Sequence, residues 1–447
     1  MSPIRGRFRR NAFACLAFLP LWSLSYSLSF FYLSLYFKAS GVTDVQLGFL
    51  VTAGSGASIL FSILAAPLVD RMGRRRSTFV FDLIGSALPF LLYAVGGSFV
   101  FALAGTLLAN ASRVMNVGYY LLMTEDSQNE ERTAAFNVFN IIYVASGLLL
   151  PLAGGIVARA GILKAERLFL LLSAAAIAVS AFGRFILSSE TAAGAAILKK
   201  AHGIAGARDS GTGPMASKPL LAGYKEVFSF LSNNREAAAA AAADTLFYVY
   251  YVVGTNSSLY FTPFFADALG MGASMAGSIG AIWAGGTLMA MLFLNPPVFR
   301  RFGPVGCALI GALLNAAGFI PLLFVGRGSV LAVMAALGVA SLGFGMLKSA
   351  IDAALAVSFG EGALGDTLTA GEAARSGVYA VVNLGSSILG MGAGALCGLF
   401  YTRTPRFIPA FSLLLLTAVG VALGTTHRAA NRVVLRRPQS GRARRRS

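Results

Sequence analysis

Leu64-Ala65-Ala66-Pro67-Leu68-Val69-Asp70-Arg71-Met72-Gly73-Arg74-Arg75-Arg76 is where an apolar run that begins at Gln46 meets four cations within six residues. An apolar helix of about 20 residues crosses a hydrocarbon core of about 30 Å. Lys and Arg clustered at one end of such a span hold that end on the cytoplasmic side. Residues 46–69 therefore read as a membrane span and 70–76 as a short cytoplasmic turn. The next apolar run starts at once, at 77.

Extending this reading along the chain gives twelve spans, at 12–37, 46–69, 77–97, 99–123, 134–158, 167–188, 237–265, 274–299, 305–325, 329–359, 376–400 and 407–427. The 447 residues are 56% hydrophobic and 12% charged, with a mean hydropathy of +0.72. Soluble domains carry about 25% charged residues, so a water-soluble globule is excluded. Lipid leaves backbone groups no partner but one another, which allows only helices or closed barrels, and segments this long are helices. The first span, flanked by Arg5, Arg7, Arg9 and Arg10, is longer than a signal-peptide core and reads as retained.

The net charge of +18 is a matter of placement. With a cytoplasmic N-terminus, 27 of the 36 Lys and Arg fall in cytoplasmic segments, Arg184 being counted with the central one, and 7 fall in outer loops. Arg113 and Lys348 lie inside spans. This is the positive-inside pattern with both termini cytoplasmic, the expectation being a multi-pass protein of the cell membrane. The tail Arg442, Arg444, Arg445, Arg446 suits topology or anionic lipid, and no nucleic-acid motif accompanies the charge. Cys15, Cys307 and Cys397 suggest neither disulfides nor zinc, no phosphate-binding glycine loop is present, and neither cofactor nor metal is expected.

The spans divide six and six about a polar stretch. The expected units are 1–190 and 236–427, joined by a cytoplasmic linker 191–235 and followed by a basic tail 428–447. Tyr224 to Leu231 has the spacing of a surface amphipathic helix. The halves resemble each other. Gly41, Gly48, Pro67, Arg71 and Gly73 match Gly270, Gly277, Pro297, Arg301 and Gly303, and Arg132, Phe136, Asn140, Gly147 and Gly155 match Arg375, Tyr379, Asn383, Gly390 and Gly398. Internal duplication of this kind marks secondary transporters.

The 67–76 stretch resembles the signature loop of the major facilitator superfamily, with Asp70, Arg71, Gly73 and Arg74 in the motif positions and Ala66 or Pro67 where a Gly is usual. Arg113 with Gly118 resembles the family's fourth-span motif. Gly147, Pro151, Gly154 and Gly155 resemble its antiporter motif, with Leu150 in place of a Gly, and Arg184 to Glu190-Thr191 resembles the end of the first half. The resemblance spans nearly the whole chain and implies an all-α membrane protein of two pseudo-symmetric six-helix bundles around a central site. It implies alternating access to a small organic molecule, coupled to an ion, and is nearest to the proton-coupled efflux permeases. The other readings are a proton- or sodium-coupled uptake symporter for a sugar or organic anion, a channel, and a membrane-embedded enzyme; His202 and His427 offer an enzyme little.

Charge inside a span is costly and points to function. Arg113 and Lys348 lie near the midplane on the repeat-related fourth and tenth spans and are expected to face one cavity, with Asp352 one turn from Lys348. Asp244 heads a helical face carrying Tyr248, Tyr251 and Thr255; Tyr248 and Tyr251 are expected at the substrate, and Asp244 and Asp352 are the candidate proton carriers. Asp82 is expected to pair with the basic loop, and Asp70, Arg71, Gly73 and Arg74 to form a conformational latch. In the resembled family the cavity-lining helices would bring Tyr26, Asn116, Tyr120, Asn140, Trp283 and Asn383 to substrate, together with Trp22, Asn110 and Asn137. The expected partners are a substrate, a proton and membrane lipid, with the protein a monomer.

Overall fold

The computed structural model describes residues 8–127, 129–201, 229, 231–358 and 368–436. The side chains of Asp352 and Asn137, the 224–228 part of the expected surface helix and the 437–447 tail lie outside the described residues. Among the described residues, eleven helices are long and apolar enough to cross a membrane. One of them, Met275–Phe324, runs 50 residues, about 75 Å at 1.5 Å per residue and far too long for one crossing. It is two spans. Gly303 sits at φ 68°, ψ 179° and breaks the helix there, which restores the twelve expected from the sequence.

The spans are α1 (Arg10–Ala39), α2 (Asp44–Met72), α3 (Arg74–Val95), α4 (Phe99–Thr124), α5 (Ala134–Ala160) and α6 (Ile162–Leu187), then α7 (Arg235–Gly254), α8 (273–302), α9 (304–324), α10 (Val330–Ser358), α11 (Leu368–Tyr401) and α12 (Phe407–Arg436). The seventh span ends at Gly254, well before residue 265, and a separate short helix, Phe261–Asp267, follows. The first part of the linker is helical over Ala192–Ala201. α11 begins eight residues before the expected 376, and α12 continues to Arg436.

Glycine makes the turns, and it does so twice over. Gly73 (φ 83°) joins α2 to α3 as Gly303 joins α8 to α9, and Gly41 (φ 95°) precedes α2 as Gly270 (φ 69°) precedes α8. These are the pairs matched by the sequence repeat, and each occupies backbone that only glycine adopts freely. Thr43 then starts α2 with a capping box, its hydroxyl accepting from the Gln46 N–H while Gln46 accepts from the Thr43 N–H.

Within the first six spans α1 packs on α6, α3 on α4 and α6, and α2 on α4. In the second six, α7 packs on α12, α9 on α10 and α12, and α8 on α10. The halves meet along two seams, α2 with α11 and α5 with α8. Both are backbone contacts: a Cβ on Gly48 would collide with Gly398 and Gly394, and one on Gly277 with the Leu150 carbonyl. Small residues let helices in lipid approach this closely. Gly48 and Gly277 lie near the starts of α2 and α8, so the seams are tight at the face opposite the N-terminus, here called the far face.

Asp82 does not pair with the basic loop. Its carboxylate is fully buried between α3, α6 and α1, where Arg184 binds one oxygen and the Trp22 indole N–H donates to the other at 2.9 Å. Arg184, counted with the central basic segment in the sequence, is thus an in-span residue, and its guanidinium also lies over the Tyr119 ring at 5.1 Å. Trp22 is held in this structural cluster. Removing one member of a buried pair strands the other, at about 3–5 kcal/mol. Asp82→Ala should therefore lower the melting temperature of the detergent-solubilised protein sharply, and Asp82→Leu combined with Arg184→Leu should recover most of the loss; thermal unfolding of the two variants checks this.

Candidate functional site

A small cavity lies between the halves, partway along the spans, with about 60 Å³ open to water-sized groups, room for a few ordered waters. Helices from both halves line it. Tyr26, Phe30 and Phe31 come from α1, Tyr143, Gly147 and Leu150 from α5, Tyr251 from α7, Trp283 and Thr287 from α8, and Phe344 and Lys348 from α10. Of the residues expected at the substrate, Tyr26, Tyr251, Trp283 and Lys348 are brought together here. Tyr143 and Phe344 were missed: aromatic residues are common in apolar spans, and no local signal separates a cavity ring from a packing one.

The cavity is aromatic with one cation. The Lys348 ammonium lies 5.6 Å from the ring centroids of Tyr143 and Tyr251 and 5.9 Å from that of Phe344, all within cation–π reach. Trp22, Tyr26 and Phe30 stack in sequence along α1 at 5.0 and 5.3 Å. Trp283 is 2% exposed, and its indole N–H has no hydrogen-bond partner among the described residues, a buried donor that a guest could satisfy.

Arg113 lies one layer away. Its guanidinium donates to the Tyr248 hydroxyl across the gap between the halves and sits 5.5 Å from that ring. Tyr248 stacks on Tyr251 at 6.3 Å, so a two-tyrosine ladder links the environments of Arg113 and Lys348. The chain is irregular nearby: α4 breaks at Asn110–Ala111 just before Arg113, α5 tightens into a 3-10 turn at Ser146–Leu149, and α3 carries a π-turn at Leu83–Ala87. Such irregularities recur at functional sites. Asp244 is half-buried one turn before Tyr248.

Asn116 and Tyr120 continue the Arg113 face of α4 and are exposed, as are Asn140 on α5 and Asn383 on α11. Because Arg113 on that face reaches the opposite half, the exposure is into a space between the halves and not towards lipid. Asn110 departs from the stripe, its amide donating back to the Thr106 carbonyl at 2.9 Å.

The two faces of the molecule differ. At the far face the halves are tied by charge as well as by the glycine seams. Lys38 at the end of α1 binds Asp44 at 2.8 Å and also Asp267 of the second half. Tyr401 donates to Asp267 at 2.7 Å, and Tyr260 donates to the Asp44 carbonyl at 2.8 Å. At the face that carries the N-terminus, the basic loop is fastened within its own half. Arg74, 5% exposed, binds Asp70 at 2.9 Å and Glu125 at 3.2 Å, while Glu190 accepts the backbone N–H groups of Arg74 and Arg75 at 2.9 and 3.1 Å. That carboxylate sits at the start of α3, where the helix dipole favours a negative charge. Asp70 is 52% exposed, Arg71 is exposed, and Gly73 packs against Glu190. Glu125 and Glu190 are the partners that the sequence reading did not assign to this loop.

The family model of the Major Facilitator Superfamily matches residues 13–382. No curated protein matches the chain in sequence. Among solved structures the fold is similar to that of the nucleoside transporter NupG, with 15% identity, 94% of this chain and 98% of that chain covered and a TM-score of 0.64. It is also similar to a bacterial homolog of the human lysosomal transporter Spinster, inward-facing and unoccupied, with 14% identity, 97% and 98% coverage and a TM-score of 0.63. A bacterial homologue of the iron transporter ferroportin in an inward-facing state shares 12% identity, with 96% and 100% coverage and a TM-score of 0.62.

The three native cysteines are buried, so single engineered thiols report on the space between the halves. Asn140→Cys and Asn383→Cys should react with a membrane-impermeant maleimide applied at the face that carries the N-terminus, and Phe31→Cys and Leu150→Cys should stay unlabelled. Labelling yields from vesicles of known orientation check this.

Proposed function

The chain belongs to the Major Facilitator Superfamily and is a transporter, and we propose that its cargo is a small organic anion with a flat apolar body, exported in exchange for protons. The observation that carries the cargo class is the cavity itself: Lys348 and the unpartnered Trp283 N–H among the rings of Tyr26, Tyr143, Tyr251 and Phe344. An ammonium and an N–H donor complement a carboxylate or phosphate, and the ring faces complement a planar body. Arg113 extends the positive potential towards the open side, and Asn116, Tyr120, Asn140, Tyr248 and Asn383 are the polar groups that cargo would pass.

The protein lies in the plasma membrane with both termini cytoplasmic, so the far face is the outer one and the conformation is closed outward. The support is the charge asymmetry of the loops. The bundles 1–190 and 236–427 rock about the central cavity as units, and Asp70, Arg71, Gly73 and Arg74 latch the cytoplasmic side in the opposite conformation. Export is favoured by Gly147, Pro151, Gly154 and Gly155 on α5, whose Gly147 packs on Ala284 of α8, so the motif lies in a seam that must open. Asp244, half-buried beside the tyrosine ladder, carries a coupling proton, and Asp352, four residues after Lys348 in the sequence, is the second proton carrier.

Counterflow in proteoliposomes over a panel of aromatic carboxylates and organic phosphates identifies the cargo. Arg113→Ala and Lys348→Ala should each weaken its binding about tenfold or more, roughly 1.4 kcal/mol, with Arg113→Lys only partly restoring it because the planar fork is lost. Asp70→Asn should slow exchange while leaving affinity within a few fold. Normal binding in both alanine variants, with only thermal stability reduced, would make the two cations structural.

Coupling is read separately. In everted vesicles, cargo addition should dissipate an imposed pH gradient, and Asp244→Asn should abolish that response. Undiminished transport with no pH gradient, in the variant as in the natural protein, would remove proton coupling through Asp244 and leave sodium to be tested.

A further inference from the structure

The span α6 holds a carboxyl group that the described residues leave unpaired. Glu166 lies in the first turns of α6, is 0% exposed, and neither of its oxygens has a hydrogen-bond partner among the described residues. Asp82, buried likewise, has Arg184 and Trp22. An isolated ionised carboxylate cannot be kept in such a place, and the group is neutralised instead. Ala165 beside it and Phe169 and Leu170 one turn on are buried in the apolar core together with Tyr32, surroundings that accommodate a carboxylic acid and not its anion.

Among the described residues, Tyr32 of α1, itself fully buried, is an ionisable side chain close enough to feel a charge on Glu166. Arg159 near the end of α5 and Lys164 and Arg167 on α6 are exposed, and no salt bridge to Glu166 is formed among the described residues. Tyr32 is placed at the seam between the halves. Its hydroxyl meets the Leu150 carbonyl of α5 at 3.4 Å and fills the space in which a Cβ of Gly277 on α8 would stand, and its ring lies 6.3 Å from that of Phe169, one turn along α6 from Glu166. The α6 turn that carries Glu166 is therefore linked through Phe169 and Tyr32 to the α5–α8 seam.

We propose that Glu166 is a proton-binding site linked to the outer seam: the outward-closed conformation requires the protonated acid, and opening of α8 from α5 frees Tyr32, admits water and lets Glu166 release its proton to the outer side. The step is a simple dissociation, in which the acid O–H breaks, the electron pair stays on the carboxylate and water takes the proton. It runs in reverse when outer acid drives closure. Linkage fixes the sign: the state in which Glu166 is dry binds the proton more tightly, so acid favours outward closure and alkali favours outward opening. The site is distinct from Asp244, which lies in the second half on the cytoplasmic side of the tyrosine ladder. The proposal rests on the alternating-access reading but not on the identity of the cargo or the direction of its transport.

The test uses the full chain in lipid nanodiscs with no cargo. Spin labels on Ser98→Cys and Thr402→Cys, both exposed at the far face on opposite halves, report the outer opening as a distance distribution across a pH series. With natural Glu166 the ratio of open to closed populations should rise with pH, by at most tenfold per unit for one proton. Glu166→Gln should lose the response and stay at the acid limit. Glu166→Asp keeps a titratable carboxyl and should keep the response with a shifted midpoint, which also serves if the glutamine variant does not fold. Lys38, Asp44, Asp267 and Tyr401 are the other ionisable groups clustered at this face, so Asp267→Asn is the second arm. A response that survives Glu166→Gln, or that keeps its midpoint in Glu166→Asp while Asp267→Asn abolishes it, overturns the proposal. Two far-face distances whose ratio ignores pH also overturn it but leave alternating access standing, whereas a single fixed distance in every variant defeats both.

Discussion

The close approach of backbones at the far face is the constraint on which the rest of the molecule depends. Gly48 against Gly398 and Gly277 against Leu150 remove the side-chain layer that ordinarily separates helices, and in lipid this contact, not a hydrophobic effect, holds one helix to another. With the halves pinned at that end, polar residues further along the same helices are left standing apart, and the space between them becomes the cavity and its approach. Beside the glycine seams, a partly buried ion cluster of Lys38, Asp44, Asp267 and Tyr401 and apolar side chains from both halves join the bundles at this end.

The charges within the spans divide by what satisfies them. Asp82 and Arg184 satisfy each other, with Trp22 and Tyr119 closing the cluster, and they join α1, α3, α4 and α6 into one body. Arg74, Glu125 and Glu190 do the same at the face that carries the N-terminus, where a carboxylate caps α3 and a buried guanidinium ties two loops. Among the described residues, Arg113 and Lys348 are held differently, by ring faces and a tyrosine hydroxyl. An aromatic face stabilises a cation without neutralising it. Glu166 is a further case, a carboxyl that is buried and has no hydrogen-bond partner among the described residues.

The twelve spans, their turns and the duplication were determined by the sequence alone, because lipid permits one kind of backbone and a hydrophobic run of fixed length reports it. The turns were equally legible, since a left-handed backbone position selects glycine and the pairs Gly41/Gly270 and Gly73/Gly303 recur at matching places. The depth of Arg113 and Lys348 followed from counting residues along a helix. Which partner each charge takes was decided only by the tertiary structure. Asp82 sits close in sequence to a basic loop yet pairs with Arg184, because the packing of α3 on α6 places those two at one level. Trp22 resembled a cavity residue until the same packing turned it to Asp82. Glu166 gave no sequence signal, being an acid beside basic residues near a span boundary, where such residues are ordinarily solvated. Its isolation, like the choice of Tyr143 and Phe344 as walls of the cavity, comes from which faces of separate helices meet, and helix periodicity fixes only the faces, not the partners.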